Sequence, residues 1–225
     1  KQQKEINKLE DYIRKNKVRA ATAAQAKARE KKLMKMDKIE INKQKPKPHF
    51  NFKFSKPSWS VILKTKNLVI GYDKALTKPL NLKMSKNEKI AIIGANGIGK
   101  TTLLKSLIKI INPIEGKVMI DEQHLDIGYY EQENYNTDNV VIDEISNEVP
   151  ENTKTEVRRM LARCGLTNEH INSKLCELSG GEQAKVRLCK VINKPSNILF
   201  LDEPTNHLDV DAKDELKRAL INYEG

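Results

Sequence analysis

The chain has 225 residues, with 41 Lys and Arg against 30 Asp and Glu, which gives a formal net charge of +11. This length suits one large domain or a domain with an appendage, and 38% hydrophobic residues indicate a globular core. Only 5% of residues are aromatic, so we expect that core to be mainly aliphatic. The sequence contains no apolar run of about 18 residues, which excludes a membrane-spanning helix.

The three cysteines, Cys164, Cys176 and Cys189, match neither a zinc-site spacing nor a disulfide framework. Unpaired cysteines favour a reducing compartment, and we predict the cytoplasm. Because the first residue is Lys rather than Met, we expect a processed product or a fragment.

The positive charge lies almost entirely at the start of the chain. Residues 1–48 contain 16 Lys or Arg and 6 Asp or Glu, a net charge of +10, whereas residues 49–225 have a net charge of +1. We therefore treat residues 1–48 as a separate basic arm.

The arm is predicted to be helical. Apolar residues recur at helical spacing on both sides of an alanine-rich patch at residues 20–28, and alanine is the best helix former. A polar break predicts two helices, over about 1–15 and 20–43, joined by a bend near Asn16. Pro46 ends the second helix, because proline restrains the residue before it.

Three interpretations of the arm remain open from its residues alone. It is a solvated charged helix, a rod that binds a polyanion through counterion release, or a membrane-surface helix. The last is disfavoured, because the apolar face consists mainly of alanine.

The pattern changes after the arm. Residues 49–60 indicate an extended connector, and residues 61–225 form the body. Within the body, short strands are predicted around residues 61–68, 80–84 and 89–94.

The strand at residues 89–93 runs into the pattern GxxxxGK[ST], and an apolar helix (residues 103–110) follows. Glycines in such a loop let backbone N–H groups surround phosphate oxygens, and the helix N-terminus adds partial positive charge. Lys100 would reach the β- and γ-phosphates of a nucleotide, and the Thr101 hydroxyl would bind Mg²⁺. The predicted loop consists of Gly94, Ala95, Asn96, Gly97, Ile98, Gly99, Lys100, Thr101 and Thr102.

A second motif is an apolar strand, residues 198–201, that ends in two carboxylates. This is typical of a buried parallel strand with a site at its carboxyl end. Asp202 would hold Mg²⁺, and Glu203 would orient and deprotonate the attacking water.

The third motif is Leu178–Gln183, followed by a helix to about Asn193. Ser179 is a good N-cap, and Gly180 and Gly181 expose the backbone at the start of the helix. The motif is thus either a second anion site or an ordinary helix start.

These three motifs, in this order over residues 61–225, resemble the ATP-binding cassette (ABC) superfamily. The resemblance implies an α/β fold of the P-loop NTPase type, with a mixed sheet core and a helical signature subdomain. It also implies ATP and Mg²⁺ as ligands, with one ATP enclosed between the phosphate loop of one cassette and the signature (Ser179, Gly180, Gly181 and Glu182 in this chain) of a second cassette.

The resemblance assigns further roles. Tyr72 would stack on adenine, Gln132 would contact Mg²⁺ and water, and Asp209 would belong to the D-loop. The catalytic set would then be Glu203, Gln132 and Lys100, and the metal set Thr101, Gln132 and Asp202. The family also has a switch histidine after one further strand, and we expect the chain to be truncated before it, which would weaken hydrolysis by the isolated fragment.

Within the superfamily, the sequence resembles the ABC-F subfamily. The features are the motif DEPTNHLD at residues 202–209, the signature continuing as Glu182-Gln183, and the basic two-helix arm. This resemblance implies an interdomain linker plus a second cassette, pairing with another cassette of the same chain or of a second copy. Its partner would be the ribosome, in translation regulation or in protection against antibiotics, with ribosomal RNA contacting the arm through shape and phosphate.

Three alternatives are kept: the nucleotide-binding subunit of an ABC transporter, an RNA-binding module with a remnant cassette, and a DNA-repair ATPase of the same superfamily. The intact phosphate loop and the carboxylate pair argue against the second. The third lacks a zinc spacing and a long coiled-coil insertion.

Overall fold

The computed structural model describes residues 8, 11–16, 23–34, 46–57, 60–120, 124–132 and 137–225. The chain divides into two compact units, Lys1–Gln44 and Lys45–Gly225. Among the helices of these described residues, none combines the length and the apolar composition needed to cross a bilayer.

The first unit contains two described helices, α1 over residues 11–16 and α2 over Ala23–Met34. Tyr12 joins them. Its hydroxyl donates to Gln25 Oε1 at 3.0 Å, and the guanidinium carbon of Arg29 lies 3.4 Å from the centre of its ring. α2 falls within the predicted second helix, whereas α1 continues to Asn16, one residue past the predicted end of the first helix and at the position of the predicted bend. Residues 17–22 and the predicted outer ends of both helices lie outside the described residues.

The second unit contains two sheets. In the first, β1 (Val61–Val69) pairs antiparallel with both β2 (Lys83–Ser85) and β3 (Glu115–Ile120). In the second, β4 (Ile127–Tyr130) pairs parallel with β5 (Ile198–Leu201). The body therefore contains antiparallel and parallel strands together with helices, which confirms the predicted mixed α/β class.

Six α-helices and one 3₁₀ turn are described in this unit. Thr153, Thr167 and Ser179 each form a capping box at the start of a helix, which satisfies two otherwise free N–H groups. The N-cap role of Ser179 and the helix that follows it are thus confirmed. The elements are α3 (Lys100–Leu107), α4 (Val141–Glu148), α5 (Lys154–Arg163), α6 (Asn168–Asn172), the 3₁₀ turn (Leu175–Glu177), α7 (Gly180–Asn193) and α8 (Val210–Ile221).

Two hydrophobic clusters form the interior. One lies among α4–α8, and the other joins β1, α3 and β5 through residues such as Leu63, Leu107 and Phe200. Both are mainly aliphatic, as the composition indicates. The three cysteines are free thiols, and Cys164 and Cys189 belong to the first cluster.

The segment after the arm is extended, and it packs as part of the body. Phe50 is fully buried in the first cluster, together with Phe52. The His49 N–H donates to the Arg163 carbonyl at 2.7 Å, the Phe50 N–H donates to Glu215 Oε1 at 2.9 Å, and Arg218 donates to the Phe50 carbonyl at 2.8 Å. The predicted connector is therefore anchored on α5 and α8.

The prediction of a strand at residues 89–93 was wrong. Within the described part of the chain no strand pairs with it, and Ile93 is 92% exposed. The physical reason is that a strand needs a hydrogen-bonded neighbour, and a cavity of about 550 Å³ lies between this segment and β5. The helix predicted at 103–110 is also displaced: it starts at Lys100, because Gly99 turns the chain directly into it, and it ends at Leu107.

Candidate nucleotide-binding site

The loop at residues 94–99 turns sharply into α3. Gly97 and Gly99 have φ values of +80° and +102°, in the left-handed region that favours glycine. This turn leaves the first N–H groups of α3 without helical partners, so the helix N-terminus can bind an anion.

Lys100 Nζ donates to the carbonyl oxygens of Gly94 and Ala95, both at 3.0 Å. It also lies 3.9 Å from Glu203 Oε1. The ammonium group is thus held at the loop and faces a carboxylate, which suits a group that binds phosphate when the loop is loaded.

The remaining predicted loop residues differ in burial. Asn96 and Ile98 are exposed, Thr101 is half-buried and Thr102 is buried within α3. Tyr72 is 66% exposed, as expected for a ring free to stack on a planar ligand. Its segment borders the loop, because a Cβ atom at Gly99 would lie 3.3 Å from Leu76.

Asp202 follows β5 directly, and its N–H donates to the Tyr130 carbonyl at 3.0 Å, which extends the pairing of β4 with β5. The residue is 2% exposed, and its Oδ2 atom has no hydrogen-bond partner among the described residues. A buried, unsatisfied carboxylate oxygen is costly, and hard divalent cations prefer oxygen ligands. The donor set of Asp202 and Thr101 therefore fits Mg²⁺.

One carboxylate oxygen of Glu203 accepts hydrogen bonds from two side-chain amides. Its Oε2 atom accepts hydrogen bonds from Gln132 Nε2 at 3.1 Å and from Asn206 Nδ2 at 2.6 Å. Gln132 follows β4, and the preceding Glu131 forms a 2.6 Å ion pair with Lys105 of α3. The structure thus brings together Lys100, Gln132 and Glu203, all predicted from sequence.

The signature residues form a second group. Ser179 Oγ accepts from the Glu182 N–H, and Glu182 Oε2 accepts from the Ser179 N–H at 2.9 Å. Gly180 and Gly181 lie against His207. Asp209 caps α8 through the Ala212 N–H at 2.9 Å.

Sequence reasoning missed three residues near these sites. Asn206 contacts Glu203, Lys185 forms a 2.8 Å ion pair with Asp209, and His170 Nε2 lies 3.3 Å from Glu182 Oε1. Asn206 lies inside a motif that was noted, so its donor amide beside a carboxylate was a usable signal. The other two contacts join distant parts of the chain, and nothing in the sequence pattern predicts them.

The loop, the following helix and the carboxylates at the end of a parallel strand define a P-loop nucleoside triphosphatase. The sequence matches the family described as "ABC transporter" over residues 77–206, and a second family of the same description over residues 1–52. The chain therefore belongs to the ABC transporter family and contains its ATP-binding cassette, a domain that generally binds and hydrolyses ATP with Mg²⁺.

Relatives agree with this assignment. The chain is 56% identical over 226 residues to the uncharacterized ABC transporter ATP-binding protein YfmM of Bacillus subtilis (strain 168), covering 100% of this chain and 43% of that protein. It is 39% identical over 168 residues to ABC transporter F family member 2 of Arabidopsis thaliana, covering 73% and 25%. The chain thus spans less than half the length of these relatives.

Among solved structures, the chain is similar to the dimeric ATP-binding cassette MJ0796 in a post-hydrolysis state bound to ADP and Pi. The TM-score is 0.60 at 23% identity, and the match covers 71% of this chain and 81% of that one. At this identity the similarity shows the fold.

Proposed function

We propose that this chain is the ATP-binding and ATP-hydrolysing cassette of an ABC-F protein that acts on the ribosome. The observation that carries the proposal is the combination of a compact basic arm with a site that joins Lys100, Gln132 and Glu203. ABC-F relatives such as the Arabidopsis protein support the subfamily assignment.

The chemistry follows from the site residues. Lys100 exchanges its loop carbonyls for the β- and γ-phosphates, and its charge stabilises the developing negative charge. Glu203 accepts the proton of the attacking water, while Gln132 orients the carboxylate. Thr101, Gln132 and Asp202 would hold Mg²⁺, which supplies charge neutralisation at the phosphates.

The signature residues serve a different nucleotide in this proposal. Ser179, Gly180, Gly181 and Glu182 face ATP that is held by a second cassette, and Asp209 lies beside them. The second cassette belongs to the same full-length protein or to another copy of this chain. A dimeric neighbour among solved cassettes supports a paired arrangement.

The arm contacts ribosomal RNA. Its net charge of +10 on narrow helices favours phosphate, through counterion release. Tyr12 is engaged with Arg29 and Gln25, so it holds the arm together rather than stacking on a base. Closure on ATP grips the ribosome and hydrolysis releases it, in the cytoplasm, so that ATP turnover gates translation regulation or ribosome protection.

Ribosome co-sedimentation of the full-length protein that contains this chain, carrying Glu203→Gln, tests this proposal. The variant retains the phosphate loop but lacks the base, so ATP should trap the ribosome-bound state. We expect pelleting with ribosomes that requires ATP and persists at moderate salt. Glu151→Gln, at an exposed glutamate away from the site, serves as the matched control and should behave as the unaltered chain.

Two other outcomes point elsewhere. Pelleting that does not depend on ATP and is lost at higher salt means that the arm binds ribosomes only by non-specific electrostatic attraction. Absence of ribosome binding, together with recovery in a membrane complex, favours the nucleotide-binding subunit of an ABC transporter instead.

A further inference from the structure

The side chain of Gln132 reaches Glu203 from a short stretch of chain beyond the end of β4. The pairing of β4 with β5 ends at Tyr130, whose carbonyl accepts a hydrogen bond from the Asp202 N–H at 3.0 Å. Glu131 and Gln132 follow outside the strand. The hydrogen bonds of the sheet therefore do not fix the backbone that carries the Gln132 amide.

An ion pair with α3 holds this stretch. Lys105 Nζ lies 2.6 Å from Glu131 Oε1, a distance typical of a strong charge-assisted contact. The side chain of Lys105 is 16% exposed and that of Glu131 is 38% exposed, so water and salt screen the pair less than they screen a fully exposed one. Separation of the two groups would leave both charges partly desolvated, which favours the paired arrangement.

The helix α3 gives Lys105 a fixed position. It starts at Lys100, directly after the phosphate loop, and the two residues that follow Lys105, Ser106 and Leu107, are buried. Lys105 therefore lies on the same packed helix as the ammonium group that we expect to bind phosphate. Its ion pair ties the residue before Gln132 to this helix.

The effect of the ion pair extends to the carboxylate of Glu203. Gln132 Nε2 donates to Glu203 Oε2 at 3.1 Å, and Lys100 Nζ lies 3.9 Å from Glu203 Oε1. The ion pair thus joins the two elements from which Gln132 and Lys100 face the carboxylate. A shift of Glu131 by about 1 Å would carry the Gln132 amide beyond hydrogen-bond distance of Glu203.

We propose that Lys105 and Glu131 are positioning residues whose ion pair holds the Gln132 amide against the catalytic carboxylate. The inference rests on the proposed function, because it takes Glu203 as the base. The two residues act through Gln132 rather than by contact with the attacking water.

Steady-state ATP turnover by the full-length protein that contains this chain tests the ion pair. The relevant kcat is the part that Glu203→Gln abolishes, so that turnover at a second cassette is not counted. In Lys105→Met and in Glu131→Gln this part should fall about 10-fold, because a hydrogen bond to a charged group is weakened. KM for ATP should change less than about twofold, because the phosphate loop is unaltered.

Two further variants separate positioning from general destabilisation. The double variant Lys105→Met/Glu131→Gln should lose no more activity than either single variant, because both substitutions remove the same interaction. The exchanged pair Lys105→Glu/Glu131→Lys should recover most of the lost kcat, because it restores an ion pair between the same positions.

The matched control breaks an ion pair elsewhere in the cassette. Lys154 Nζ lies 3.0 Å from Asp143 Oδ1, and both side chains are exposed. Because exposed ion pairs contribute little, Lys154→Met should leave kcat and KM unchanged.

The outcomes separate the inference from the proposed function. Unaltered kcat in both single variants, losses that add in the double variant, or an exchanged pair no more active than the single variants overturns the role of the ion pair. A kcat that falls only in proportion to the folded fraction, measured by circular dichroism, also overturns it. Turnover that is insensitive to Glu203→Gln and to Lys100→Ala overturns the proposed function instead.

Discussion

Lys100 is the residue on which nucleotide affinity should depend most. Its ammonium group now bonds two loop carbonyls and faces Glu203. We predict that Lys100→Ala lowers the affinity for ATP by about 10- to 100-fold, the usual range for losing a charge-assisted contact. Titration with a fluorescent ATP analogue measures this. Lys213→Ala, at an exposed lysine of α8, should bind as the unaltered chain, and equal affinity in both variants would refute the assignment of Lys100.

Glu215 should make the stability of the folded body depend on pH. Hydrogen bonds from Arg218 lower the pKa of Glu215 below its usual value of 4.5, burial opposes this, and the Phe50 N–H adds to the lowering. A carboxyl group whose pKa is lower in the folded state stabilises that state above its unfolded pKa and loses the effect as pH falls through the folded pKa.

We therefore predict that Glu215→Gln is less stable than the unaltered chain at pH 7, by about 1–2 kcal/mol. The difference should begin to shrink as the pH falls below about 4.5, the usual pKa, and should vanish once the pH has fallen through the lower pKa of the folded state, where the carboxyl group of the folded protein is protonated too. Urea unfolding across this pH range measures it. A difference that stays constant with pH would show that the carboxylate charge plays no part.

At the level of elements, the buried segment before β1 should carry stability of its own. Phe50 is fully buried against helices, although it lies in a stretch without regular secondary structure. We predict that Phe50→Ala destabilises the body by about 3–5 kcal/mol, as is typical of a buried phenylalanine. Ile221→Ala, at a residue 64% exposed, is the matched control and should cost less than about 1 kcal/mol. Similar losses in chemical unfolding of both variants would contradict the anchoring of Phe50.

The elements also show how far sequence reasoning extends. Ser179, the helix after it and the strand at 198–201 were predictable because caps and apolar runs are local signals. That residues 89–93 form no paired strand among the described residues was not predictable, because strand formation depends on a neighbour that the segment itself does not encode. The contacts of Asn206 and Lys185 depend in the same way on the tertiary fold.

At the level of the whole molecule, the arm should set the salt dependence of RNA binding. Lys8, Lys15, Lys27 and Lys31 are exposed on it. Replacing all four with Gln should reduce the slope of log K against log[salt] by up to about 3.6, because each lost phosphate contact contributes roughly 0.7–0.9. Ribosome pelleting across a salt series measures the slope.

The matched control for this variant changes the body alone. Four exposed lysines of the body, replaced together by Gln, remove the same total charge outside the arm. They are Lys64, Lys66, Lys117 and Lys213. An equal reduction of the slope in both variants would mean that total charge, rather than the arm, governs binding.

The anchored segment has a consequence for recombination between relatives. Phe50 and Phe52 fill the cluster formed by α4–α8, so their packing partners lie in the body. A chimera that exchanges the arm at residue 44 leaves this packing matched on both sides. One that exchanges it at residue 60 places foreign side chains in the interior of the cassette. The transplantable module is therefore shorter than the region that charge alone marks as separate.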